Sequence, residues 1–131
     1  MRTIKYRVWN GKKMLYEGDK ELESFAMTFD GRIVQAADTD LVLVNQGGLW
    51  KLSEWTGLLD KNGKEIYEGD VVKGVYTTGH QFQGEVVFLH GSFTAECKRG
   101  ENDVIRFPFT FCNRDNFEII GDIYSTPSLI K

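Results

Sequence analysis

The sequence predicts a mainly β protein with little helix, and three observations carry that reading. Four turn-forming dipeptides, Asn10-Gly11, Asp30-Gly31, Asn62-Gly63 and His90-Gly91, each separate two apolar-rich stretches. Apolar and polar side chains alternate between the turns, as in "SFTAECK", where Phe93, Ala95 and Cys97 face one way and Thr94, Glu96 and Lys98 the other. The chain also carries nine Phe, five Tyr and three Trp, side chains that suit a pleated, half-buried surface.

Each element follows from these rules in turn. "IKYRVW" alternates Ile4, Tyr6 and Val8 with Lys5, Arg7 and Trp9, and Asn10-Gly11 folds it back onto "KKMLY". "DKELESF" is the one candidate for a short helix near the start. Asp30-Gly31 joins "SFAMTF" to "RIVQAA". "DLVLVN" and "GLWKLSE" read as two further strands, with a helical turn over "LWKLSEW" as the alternative. Asn62-Gly63 joins "GLLDK" to "KEIYE". Asn-Gly and Asp-Gly tolerate the positive φ of tight hairpins, so these three turns are the firmest, and His90-Gly91 between "EVVFL" and "SFTAECK" is weaker. In "VIRFPFTF" Ile105, Phe107, Phe109 and Phe111 share a face; Pro108 cannot donate to a ladder, which predicts an edge strand or a bulge. Residues 73–84, "KGVYTTGHQFQG", read as the longest loop.

Size and charge bound the function. At 131 residues the chain fits one domain that needs no metal or disulfide to fold. A formal net charge of -3 argues against general affinity for nucleic acid. No apolar run approaches a membrane span, and the start "MRTIKYRVW" lacks the apolar core of a signal peptide. The two cysteines, Cys97 and Cys112, read as buried thiols in a reducing compartment.

The densest motif is "WTGLLDKNGKEIYEGDVV" at 55–72. Turn chemistry explains it: Asn62 and Gly63 form a hairpin turn, Gly69 takes a bend other residues resist, and Asp70 accepts a backbone hydrogen bond. "IIGDIY" repeats the Gly-Asp step at Gly121 and Asp122, suggesting one local device used twice. The rival reading makes Glu68 and Asp70 an acid–base or cation pair, with Asp60 and Glu65 nearby, but no calcium-loop pattern, phosphate-binding loop or nucleophile elbow accompanies them. His80 and His90 are the only histidines, and with two isolated cysteines they offer no zinc-ligand spacing. No cofactor or metal is expected.

Three blocks, "IKYRVWNGKKMLY", "WTGLLDKNGKEIYEGDVVKG" and "FEIIGDIYSTPSLI", resemble the YopX family of phage and prophage proteins, with Trp55 departing from the commoner pattern. The resemblance implies a hairpin-rich N-terminal part, residues 1–55, and a Src-homology-3-like small β-barrel, residues 56–131, within one domain. It also implies expression in the bacterial host cytoplasm, and supplies no catalytic residues, since the family's function is mostly unknown.

The leading expectation is a non-enzymatic accessory protein that binds another protein or itself. Its candidate contact residues are Tyr76, His80 and Phe82 in the 73–84 loop, and Trp9, which alternates out of phase with its strand's apolar face. The second is nucleic-acid binding through Arg7, Lys12, Lys13 and Lys73, with Trp9 or Tyr76 as stacking surfaces. The third is an enzyme using Glu68 and Asp70.

Overall fold

The computed structural model describes residues 3–37, 40–43, 50–75, 79, 81–98, 101–109 and 117–130. Among them twelve strands run in order: β1 (Tyr6–Trp9), β2 (Met14–Tyr16), β3 (Phe25–Met27), β4 (Ile33–Ala37), β5 (Asp40–Leu43), β6 (Lys51–Leu59), β7 (Glu65–Tyr67), β8 (Asp70–Val75), β9 (Gln81–Leu89), β10 (Ser92–Lys98), β11 (Val104–Pro108) and β12 (Phe117–Asp122). Short 3-10 turns stand at Lys20–Leu22 and Pro127–Ile130. The fold is mainly β with little helix, its strands paired in antiparallel sheets. The candidate helix over "DKELESF" contracts to one 3-10 turn, and of "LWKLSEW" residues 51–55 belong to strand β6, Leu49 lying outside the described residues.

Two compact units divide the chain, Lys5–Glu54 and Trp55–Lys131, the latter including Met1–Ile4. In the first, β1 lies between β2 and the opening of β6, with Val8 opposite both Leu15 and Leu52. The Asn10 carboxamide builds the β1–β2 turn, its Oδ1 accepting from the backbone N–H of Lys12 and Lys13, each at 2.9 Å. Strands β3, β4 and β5 form a meander around the Asp30-Gly31 turn. Buried here are Val8, Leu15, Ile33 and Val34. The simple alternation read in "IKYRVW" needs correction: Ile4 precedes the strand and is exposed, while Arg7, expected to face water, is buried beside Val8. A strand covered along both edges hides more of its side chains than a two-faced pattern allows.

The second unit holds a five-stranded sheet in the order β11-β10-β9-β8-β12. The first four strands follow one another by hairpins, and β12 returns to pair antiparallel with β8. Pro108 sits on β11 at the sheet edge, where its missing donor is tolerated. The core comprises Ile66, Val72, Phe82, Val86, Ala95, Cys97, Phe109 and Phe117. Phe82 stacks on Phe107 with ring centroids 4.8 Å apart, and Phe117 meets Phe82 and Phe109 edge-on at 5.6 and 5.1 Å. Burial pushes the Cys97 thiol up to about 11, consistent with an unreactive core residue.

Two readings sharpen on inspection. His90-Gly91, taken as the weaker turn, closes a two-residue hairpin: Leu89 pairs with Ser92, and both turn residues have positive φ, 52° and 80°. Residues 73–84 are not one long loop, because β8 runs to Val75 and β9 starts at Gln81. The glycines there misled, since two of them lie inside strands. At Gly84 a Cβ would come within 2.6 Å of Cys97 Sγ and Glu96 O, so β9 and β10 approach closely only because this residue lacks one.

Candidate functional site

The 55–72 block builds a braced corner. In the β6–β7 turn, Asp60 Oδ1 accepts from the N–H of Asn62 at 2.8 Å and of Lys64 at 2.9 Å. Its other oxygen, Oδ2, accepts from Ile119 N–H on β12 at 3.1 Å, and Lys61 N–H donates to Phe117 O at 2.9 Å. Burial of this carboxylate, 3 % exposed, opposes ionisation, but the amides of Ile119, Lys64 and Asn62 prevail and hold Asp60 below the usual aspartate range. Asp60 thus pins the turn to the last strand.

Gly69 has φ 86°, donates its N–H to Val86 O at 2.9 Å and accepts from Ile123 N–H at 2.8 Å. Asp70 is 2 % exposed, and its Oδ2 accepts from Tyr67 N–H at 2.8 Å. A carboxylate buried and engaged in this way shapes the main chain. Gly121 and Asp122 work differently. Gly121 stands where a Cβ would reach within 2.6 Å of Leu129, and Asp122 Oδ1 accepts from the N–H of Tyr124 and Ser125 at 2.9 and 2.7 Å. The two Gly-Asp steps are therefore separate devices, brought face to face where Asp122 pairs with Asp70 across β12 and β8. Among the described residues no cluster of His, Cys, Asp and Glu has the makings of a metal site.

The true duplicate of the Gly69 device lies earlier and escaped the sequence reading. "YEGD" occurs at 16–19 as well as at 67–70, each copy a few residues after an Asn-Gly-Lys. In the first copy Tyr16 N–H donates to Asp19 Oδ2 at 2.7 Å and Gly18 has φ 93°, reproducing the Tyr67–Asp70 bond and Gly69 conformation. A self-comparison of the sequence at an offset of 51 residues for this tetrapeptide finds it.

Beside the braced corner, β8, β9 and β12 carry a groove with a cavity of about 560 Å³, lined by Lys61, Lys73, Val75, Gln81, Phe82 and Glu118, among others. The register explains it: Glu118 of β12 lies opposite Lys73 of β8, which lies opposite Gln83 of β9. Glu118 Oε2 is shared by two cations, Lys61 Nζ at 3.4 Å and Lys73 Nζ at 3.5 Å. Gln83 Nε2 donates to Leu129 O at 3.0 Å, tying the C-terminal 3-10 turn to the groove's edge. One row further along, Phe117 and Phe82 flank Gly74 in register, and Gly74 has no side chain to keep their rings apart.

Of the contact residues expected from sequence, Tyr76 and His80 lie outside the described residues. Phe82 is not on a mobile loop; it is a core residue of β9 whose ring lies on the sheet face opposite that of Lys73 and Gln83. Trp9 is half-buried at the end of β1. The basic set does not present four open cations, because Arg7 is buried, Lys13 pairs with Glu21 at 2.5 Å and Lys73 shares Glu118. Gln81, which the sequence also offers in the 73–84 stretch, lines the groove, whereas Lys61 and Glu118 were missed, since only the sheet register assembles them.

Comparison with known proteins agrees with this architecture. The family model described as YopX protein matches residues 5–131. The chain is similar to the crystal structure of protein yopX from Bacillus subtilis, at 25% sequence identity and a TM-score of 0.63, covering 100% of both chains. It has the fold of protein EF1440 from Enterococcus faecalis, at 21% identity and a TM-score of 0.59, again over 100% of both chains. No curated protein matches it.

Proposed function

This chain belongs to the YopX family, and from that premise we propose that it is a phage or prophage accessory protein acting by binding, with the Lys61–Lys73–Glu118 groove as its contact surface. The observation that carries the reading is one carboxylate shared by two lysines in a groove that also presents Val75. Surface ion pairs of this kind contribute only about 0–1 kcal/mol, so a partner's charged groups replace them at little cost. The exposed Val75 side chain beside them gives apolar contact without rearrangement of the core. A partner offering an acidic group beside an aromatic or aliphatic side chain fits this lining, which is the chemistry of a protein segment.

No helix among the described residues is long and apolar enough to cross a membrane, and we place the protein's action in the host cytoplasm. The test compares the intact chain with Lys61→Glu/Lys73→Glu in affinity capture from the bacterial host carrying the phage genome, alongside light scattering. Proteins held by the parent and released by the double variant support the groove. Identical behaviour of the two chains in both measurements refutes it.

A further inference from the structure

We infer that the groove's occupant is a second copy of this chain, which inserts the tip of its β3–β4 hairpin, led by Phe29; this rests on the groove being the binding surface. The tip is a rigid presentation device. Thr28 N–H donates to Arg32 O at 2.9 Å and Gly31 N–H to Thr28 O at 3.0 Å. Arg32 N–H donates to Thr28 Oγ1 at 3.1 Å, the Thr28 hydroxyl donates to Asp30 Oδ1, and Arg32 Nε pairs with Asp30 Oδ2 at 2.9 Å. Thr28, Asp30 and Arg32 are thus held by one another, and the Phe29 ring between them is fully exposed. An isolated exposed apolar side chain is ordinary. An aromatic held at the apex of a pre-ordered turn is not, because it meets a partner without the entropy cost of ordering a loop, and aromatic anchors dominate interface energies.

Charge complementarity selects the second copy. The tip offers an acid and a base two residues apart, Asp30 and Arg32, each already in an exposed, exchangeable pair. The groove offers the matching arrangement, Lys61 and Lys73 sharing Glu118, beside the exposed side chain of Val75. With Phe29 against Val75, Asp30 takes a lysine and Arg32 takes Glu118, so neither tip charge is left without a counter-charge. A membrane surface is the poorer occupant, since the tip carries as many acidic as basic groups and lacks the basic face of interfacial anchors. The contact joins unlike surfaces, so it closes only when copies exchange tips reciprocally or form a ring.

The experiment is sedimentation velocity over a range of concentrations on the full chain, on Phe29→Ala and on Lys61→Glu/Lys73→Glu, with thermal melts confirming that each variant is folded. The parent is expected to associate, and each variant to do so more than about tenfold more weakly. Mixed in equal amounts, the two variants are expected to form a heterodimer that grows no further, since one keeps only a working groove and the other only a working tip. A parent that stays monomeric, a Phe29→Ala chain that associates like the parent, or a mixture that stays monomeric overturns the contact. A monomeric parent that still captures a host protein in a groove-dependent manner overturns the tip alone and leaves the groove's binding role standing.

Discussion

The two "YEGD" corners have the same four residues, the same Tyr N–H to Asp Oδ2 bond and the same left-handed glycine, yet different surroundings. At 16–19 the corner is largely exposed and leads into a 3-10 turn at Lys20–Leu22. At 67–70 the tyrosine and aspartate are buried, and the corner opens directly into β8, the strand that receives both β9 and β12. Local chemistry specifies the bend in both places. Only at the second do Val86 O and Ile123 N–H seize the glycine's own backbone groups, so that one turn becomes a junction for three segments.

Paired substitutions test that distinction, beginning with the largest expected effect. Gly69→Ala forces a Cβ into left-handed backbone, costing about 1–2 kcal/mol, and strains two buried hydrogen bonds, for a total near 3 kcal/mol. Gly18→Ala incurs the first cost alone. Urea unfolding of both variants reads the difference, and equal losses break the comparison. Next, Asp70→Ala leaves the buried Tyr67 N–H without its acceptor and is expected to cost about 1–3 kcal/mol, whereas Asp19→Ala exposes its amide to water and costs about 1 kcal/mol or less.

The third test is pH. The lowered pKa of Asp60 means that the folded state binds its proton less readily than the unfolded chain. Its contribution is therefore full above the ordinary aspartate value, about pH 4, and is lost as pH falls through the lower folded value. Asp60→Asn should be less stable than the parent at neutral pH and lose less on acidification, as thermal melts between pH 7 and 2 would record; parallel curves would sink the argument. The smallest effect concerns Glu85, next to Val86. Burial, then Glu96 directly opposite it, raises its pKa, so its charged form weakens the fold at neutral pH and protonation through the raised value relieves it. Glu85→Gln should raise the melting temperature slightly at pH 7 and have no effect once the carboxyl is protonated.

Much of the local fold was legible in the residues. Asn10-Gly11, Asp30-Gly31 and Asn62-Gly63 each close a hairpin because the turn's φ requirement is written in the dipeptide itself. Pro108 announced its edge for the same reason: a missing donor is a property of one residue. What failed depended on neighbours. Gly74 and Gly84 looked like loop punctuation because nothing in the sequence says that Phe82, Phe117 and Cys97 will crowd them. The groove was invisible because Lys73 and Glu118 are 45 positions apart and meet only through the return of β12 to β8. The duplicated "YEGD" was visible in principle, and only its uneven spacing from the preceding Asn-Gly hid it.

The bond from Ile119 to Asp60 spans 59 positions, and it carries a schedule as well as a shape. As the chain leaves the ribosome, the early hairpins have everything they need soon after they appear. The corner at Asp60 does not: its second oxygen and the amide of Lys61 wait for Ile119 and Phe117, which are made long after them. Nascent chains arrested before Phe117 should accordingly be digested readily by protease, and resistance should arrive abruptly once that final strand emerges.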